Sequence, residues 1–262
     1  MKRICLLTGG SSGIGKAAAE MLVRNGFTVY ELSRHGADAE GIRHIAADVT
    51  DPGQVREAVR RVLDAEGRID LLVNNAGFGI SGAVEFTDPK DAVAQLDVNF
   101  FGALHCVQAV LPAMRAQKSG HIVFVSSVAA PIAIPFQAFY SATKAAINSL
   151  VLALRNEVKP FGIQVCAVMP GDVKTGFTAA RKKSLAGEDV YGKALAHAVA
   201  VMEHDEQNGM PPACVAKAIV CAANEKRPRA LRTVGAQYRI FVFIAKILPA
   251  TWTNALVGMI YR

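Results

Sequence analysis

Short apolar runs alternate with helical patterns along most of the chain, and that alternation restricts the fold more than any other feature. The runs "RICLLT", "TVYEL", "IRHIAAD", "IDLLVNN", "GHIVFVSS", "GIQVCAVMP" and "RALRTVG" carry the β-branched and aliphatic residues of strands. Between them, spacing predicts helices over about 13–25, 52–66, 90–117 and 138–159. The second opens on Asp51-Pro52, an N-cap followed by proline at the first helical position. Such alternation dictates βαβ units and a parallel sheet, and strands that are almost continuously apolar are those covered by helices on both faces. The expected class is α/β: a doubly wound parallel sheet of about seven strands.

At 262 residues, with 52% hydrophobic and 19% charged, the chain suits one large domain with a sizeable core. The formal charge of +7 selects no partner by itself. Its basic clusters, Arg181 to Lys183 and Lys226, Arg227, Arg229 and Arg232, lack interleaved aromatics and read as solvated faces, so no nucleic acid is expected. The five cysteines form no C-x-x-C pair and mostly sit in apolar runs, which reads as reduced, buried thiols of a cytoplasmic protein. The histidines lack metal-ligand spacing, and no metal is expected. "MKRICLL" is too short an apolar run for a signal-peptide core and reads as a first strand. The tail "RIFVFIAKILPATWTNALVGMIYR" is broken by Lys246, Pro249 and Asn254, which suits a spanning helix poorly.

The stretch "LLTGGSSGIG" leaves the first strand and enters a helix. A glycine and serine turn there lets backbone N–H groups approach a pyrophosphate, where the helix dipole also favours negative charge. Gly9, Gly13 and Gly15 are the positions that need glycine, with Ser11, Ser12 and Ile14 in the same turn. The second strand ends in Ser33-Arg34, and a basic residue at that place accommodates a 2′-phosphate. Glu31 is the acidic alternative but lies inside the strand. NADP(H) is therefore expected over NAD(H), with a solvated loop charge as the bland reading of Arg34.

With "TGGSSGIG", "NNAG", "VNFFG", "VSS", "YSATK" and "PGDVKT" in this order, the sequence resembles the short-chain dehydrogenase/reductase family over residues 3 to about 175. The resemblance implies one Rossmann-like domain and a catalytic set of Asn99, Ser127, Tyr140 and Lys144. Ser127 is preferred to its neighbour Ser126 by the family's spacing to the tyrosine and by strand alternation. It further implies cofactor contacts from Asp48 and Val49, from Asn75, Ala76 and Gly77, and from Pro170, Gly171, Val173 and Thr175. Asp48 has a turn-capping alternative.

Tyr140 and Lys144 stand four apart and share a helix face. Near-neutral base chemistry would require the phenol's pKa to fall, whereas in reduction the protonated phenol is already the acid. Tyr140 is expected to protonate a carbonyl oxygen, Ser127 to orient it, and Lys144 with Asn99 to hold ribose and relay the proton. The apolar stretch between Ser127 and Tyr140 suits a lipophilic ketone or alcohol of steroid, retinoid or acyl-chain type. A 3-ketoacyl-type reductase and a noncatalytic dinucleotide sensor are the alternatives. Residues 176–212 read as a weakly ordered substrate lid, and 236–262 as an apolar extension that packs in protein or touches a membrane interface. A homodimer or homotetramer is expected, the long helices pairing between subunits.

Overall fold

In the computed structural model, which describes residues 2–184 and 186–261, seven strands form one parallel sheet. They are β1 (Arg3–Thr8), β2 (Phe27–Ser33), β3 (Ile42–Ala46), β4 (Leu71–Asn74), β5 (Gly120–Val125), β6 (Ile163–Pro170) and β7 (Leu231–Val234). Their order is β3-β2-β1-β4-β5-β6-β7, so the chain reverses direction across the sheet between β1 and β4. In sheets of this kind the crevice at the strands' C-terminal ends, beside that reversal, is where ligands bind.

Helices cover both faces, which is why β1, β4 and β6 are buried almost throughout. One face carries α2 (Pro52–Glu66), α3 (Pro89–Leu96), α4 (Gly102–Gln117) and α5 (Ala138–Glu157), with Val59, Cys106, Val110 and Ile147 in its core. The other carries α1 (Gly13–Arg24) and α7 (Pro212–Asn224) beside it, while α6 (Lys193–Gln207) packs off the sheet against Ile134 and Phe136. Ala18, Leu22, Val215 and Ile219 pack together there. The Asp51 carboxylate caps α2, accepting from the backbone N–H groups of Gly53 at 2.7 Å and Gln54 at 3.2 Å.

Three expectations change. The helix expected over 90–117 is broken by a π-helical turn at Asp97–Phe101, between α3 and α4. The stretch Pro89–Gln117 is the one helical stretch among the described residues long and apolar enough to cross a membrane, yet its Ala103, Cys106, Val107 and Val110 belong to the core. The segment 176–212 is more ordered than its sequence suggests: α6 buries Leu195, Ala198, Val199 and Met202, an i, i+3, i+4, i+7 stripe. Of the cysteines, Cys5, Cys106 and Cys166 are buried, but Cys214 and Cys221 lie exposed on the outer face of α7. Spaced seven apart, they face away from the Val215–Ile219 side that packs on α1.

Candidate active site

Four motifs of the site leave the C-terminal ends of strands, and Asn99, Tyr140 and Lys144 come from helices. The glycine turn follows β1, Asn75 to Gly77 follow β4, Ser127 follows β5 and Gly171 to Thr175 follow β6. Gly9 and Gly13 adopt φ of +68° and +52°, the left-handed region glycine enters without strain. At Gly15 an added Cβ would overlap the Gly9 carbonyl, a backbone group that cannot move aside. Gly15→Ala is accordingly expected to lower stability by about 2–4 kcal/mol, read as a fall in Tm. Ser12 stands at the N-cap of α1 without a side-chain capping bond, and Ser11 and Ser12 are exposed, so the first-turn N–H groups face the crevice free to take an anion.

The turn is braced from beneath by residues the motif does not name. Thr8 Oγ1 accepts from the backbone N–H groups of Asn75 and Ala76, each at 3.0 Å. The Asn75 amide donates to the carbonyls of Thr8 and Gly9, both at 3.0 Å. Glu31, buried at 3% exposure, accepts from the Gly10 N–H at 2.8 Å and contacts His44 Nδ1 at 2.6 Å. Its carboxylate is thus committed to the protein. Ser33 Oγ donates to the His35 carbonyl, whereas Arg34 is exposed and makes no side-chain hydrogen bond or ion pair among the described residues.

The Asp48 carboxylate accepts from both the N–H and the hydroxyl of Thr50, at 2.9 and 2.8 Å. This is the turn-capping role, and it leaves less of that side chain for a ligand. Val49 is buried and packs on Gly102, so its side chain belongs to the core. Thr175 lies directly over Gly13, and Val173 bridges to Met210. Pro170 accepts from the Val128 N–H at 2.9 Å, and Gly171 is pressed against the Tyr238 ring.

Asn99 sits in the π turn, a distortion that recurs at functional sites. Its Nδ2 donates to the Phe78 carbonyl at 3.0 Å and to Thr143 Oγ1 at 3.2 Å, and its Oδ1 accepts from the Phe78 N–H. Gly77 is the neighbour of both Asn99 and Lys144: a Cβ there would lie 3.0 Å from Asn99 Oδ1 and 3.8 Å from Lys144 Nζ. Lys144 is buried, donates to the Val125 carbonyl at 2.8 Å, and lies 5.6 Å from the centre of the Tyr140 ring. Burial pulls its pKa down to about 8.

Ser126 and Ser127 point to different tasks. The Ser126 hydroxyl donates to Asn148 Oδ1 at 2.8 Å, tying β5 to α5. Ser127 instead lies beside Tyr140. Burial pushes the Tyr140 phenol up to about 12; the hydrogen-bonding Ser127 and the Arg181 charge hold it down in part, while Glu206 and Asp172 add to the rise. The fall in pKa that base chemistry would require is absent from the protein alone, and the phenol is protonated at neutral pH.

Phe177, Arg181 and Glu206 come close to Tyr140, and sequence patterns missed their chemistry. The Phe177 ring packs 5.6 Å from Tyr140. Arg181, expected to be solvated, is buried at 4% exposure, pairs with Glu206 and stacks near Phe177. Glu206 also accepts from Thr178 Oγ1 at 2.6 Å. Phe136, at φ of +57°, packs its ring against Tyr191 and touches the α6 stripe. No motif spacing links Arg181 to Glu206, so only the fold could reveal the pair.

Residues 3–186 match the family model described as short chain dehydrogenase. A 3-ketodihydrosphingosine reductase of Bacteroides thetaiotaomicron is 41% identical over 236 residues, covering 89% of this chain and 88% of its own. A short-chain dehydrogenase of Streptomyces avermitilis superposes with a TM-score of 0.82 at 32% identity, over 92% and 91% of the two chains. ElxO, solved with NADP bound, gives a TM-score of 0.77 at 28% identity, over 92% of this chain and 100% of its own. With the parallel sheet and the matched model spanning most of its length, the chain belongs to the short-chain dehydrogenase/reductase family and is an oxidoreductase of that type.

Proposed function

We propose that this chain reduces the ketone of a long-chain lipid, with NADPH as the reductant and a 3-ketosphingoid base as the leading substrate. The observation that carries the reaction is the half-buried Tyr140 phenol, protonated at neutral pH, with Ser127 beside it and Lys144 Nζ 5.6 Å from its ring centre. The substrate class is supported by the name of the 41% identical relative and by the apolar stretch 128–136 that leads from Ser127. Steroid and retinoid ketones are the competing lipophilic substrates.

The residues present fit a dinucleotide. The open N–H groups of the glycine turn and the N-terminus of α1 would hold its pyrophosphate, with Thr175 above them. Arg34 would take the 2′-phosphate, and Lys144 with the backbone of Asn75 to Gly77 would take the nicotinamide ribose. When bound, NADPH supplies the hydride. Ser127 donates a hydrogen bond to the ketone oxygen and fixes its position. Tyr140 passes its phenolic proton to that oxygen as negative charge develops. Lys144, near Tyr140 and Asn99, is placed to stabilise the resulting phenolate and return a proton to it.

Residues 176–212 act in this reading as the substrate lid, with Phe177 on the Tyr140 ring. The free thiols suit a reducing cytoplasm. Exposed Phe101 and Leu152, on the outer sides of the π turn and α5, are the surfaces through which a dimer or tetramer would pair.

Because Arg34 has no side-chain partner among the described residues, Arg34→Ala should raise the KM for NADPH by about tenfold or more while leaving that for NADH nearly unchanged. The reading as a whole is tested by following NADPH oxidation with 3-ketodihydrosphingosine, a ketosteroid, retinal and a short ketone, then repeating the series with NADH. The long-chain ketone with NADPH should give the highest kcat/KM. A ketosteroid or retinal in first place would replace the substrate, and equal use of NADH would remove the role given to Arg34.

A further inference from the structure

The chain closes with two helices, α8 (Ala236–Ile247) and α9 (Ala250–Ile260), joined at Leu248-Pro249. Their inner sides bury Val242 and Val257 against Ile132 and Val128, in the segment that follows Ser127. Tyr238 fixes the base of α8, donating to Asp172 at 2.7 Å. The pair is therefore seated on the rim of the active-site crevice.

Its outer side is apolar and bare. Ile240, Phe243, Ile247, Trp252 and Met259 are each 62–65% exposed, and on α8 they follow i, i+3, i+7 spacing. Between the helices runs a cleft of about 340 Å³ whose walls include Phe241, Ile244 and Leu256. An apolar face of this extent is where soluble proteins meet another protein or a membrane.

The charges decide between those two. Residues 236–261 contain no Asp or Glu, and their charged residues are Arg239 and Lys246. Both are exposed, and neither has an ion-pair partner among the described residues. A two-fold contact between copies would set this patch against itself, where its only charges are cations. A bilayer with anionic headgroups offers the opposite sign at the edge of an apolar phase, and long basic side chains reach back to that layer. We propose that α8 and α9 form an interfacial anchor that lies in the surface of an anionic membrane, burying the Ile240, Phe243, Ile247 and Trp252 side. For the lipid ketone proposed above, this would bring the crevice rim to the phase that dissolves the substrate; the docking itself rests on the helix pair alone.

Trp252 is the chain's single tryptophan and so reports on this face without labelling. The full chain is titrated with phosphatidylcholine vesicles, with and without phosphatidylglycerol, and followed by Trp emission, quenching by brominated lipid and co-sedimentation. Emission should shift to the blue and be quenched, and phosphatidylglycerol should strengthen binding by roughly tenfold, an increment that added salt removes. The double variant Phe243→Glu, Ile247→Glu should weaken binding by about a hundredfold with an unchanged thermal melt, since both sites are exposed. Arg239→Gln with Lys246→Gln should lose only the phosphatidylglycerol increment. No response to either vesicle would overturn the proposal. So would a blue-shifted emission in vesicle-free solution that varies with protein concentration, the result expected where a second copy covers the face. None of these readouts depends on turnover, so they separate failure of the anchor from failure of the ketone assignment.

Discussion

Tyr140→Phe is expected to lower kcat for ketone reduction by about 10³-fold while leaving NADPH affinity within a few fold, as measured by single-turnover kinetics and fluorescence titration. The phenol is the proton donor of the proposed reaction, and burial at about pKa 12 keeps that proton in place across the physiological range. Phenylalanine keeps the ring and its contact with Phe177, so that packing survives. Only the donor is removed. Asn99 and Lys144 hold N–H groups nearby, but Asn99 donates to Phe78 and Thr143 and Lys144 to the Val125 carbonyl, while Ser127 Oγ accepts from the Ala129 N–H and gives its hydrogen bond to the ketone oxygen without parting with the proton. A variant that retained near-normal reduction would place the acid on another group.

The second large effect is a pH dependence of stability carried by Lys144. Its pKa falls from the ordinary 10.5 to about 8 on folding because burial disfavours the ammonium. Between those values the unfolded chain holds more protons than the folded one, so this lysine makes stability rise as pH is raised from about 8 toward 10.5. Below about pH 8 the penalty is fully present, and it amounts to something on the order of 3 kcal/mol. Lys144→Met abolishes the titration, although it also leaves the Val125 carbonyl without its donor at an expense of about 1–3 kcal/mol. In cofactor-free protein, urea unfolding at stepped pH should therefore show the wild type gaining on Lys144→Met across this window. Parallel curves would mean that the ammonium keeps its solvation in the folded chain. The same variant should lose turnover, so a group retained for chemistry would stand as a cost to the fold.

What could be read from the chain and what could not follow from the range of the interactions involved. The strands were legible because helices on both faces demand unbroken apolar runs, and α2 was legible to its first residue because Asp51 and Pro52 cap it locally. The glycine turn, Asn99, Ser127, Tyr140 and Lys144 were found in order, and the structure gathers them at one end of the sheet. The π turn was not legible. Within it Asn99 bonds across to Phe78 and to Thr143, contacts 21 and 44 residues away that leave no local pattern. Thr8, and the bracing role of Glu31, were missed for the same reason: one from the end of β1 and the other from inside β2, they hold the turns at the strand ends through contacts distant in sequence.

In the segment 176–212, read as weakly ordered, the Leu195 to Met202 stripe was present but went unread, and Gly187 and Gly192 flank the short turn before it. Arg181 looked solvated because it heads a basic cluster without aromatics, and Lys182 and Lys183 are exposed, but its own burial depends on Glu206 of α6. The two exposed cysteines on α7 misled in the opposite sense, since an apolar stretch of sequence wound as a helix still has an outer face.

The central claim is that Tyr140 delivers a proton to a lipid ketone while NADPH is consumed. It is tested most directly by incubating the wild-type chain with 3-ketodihydrosphingosine and NADPH and measuring NADPH loss and secondary-alcohol formation together. Equal amounts of each are expected, with both reduced about 10³-fold in Tyr140→Phe. Tight NADPH binding without alcohol formation, or equal turnover in the two proteins, would contradict it.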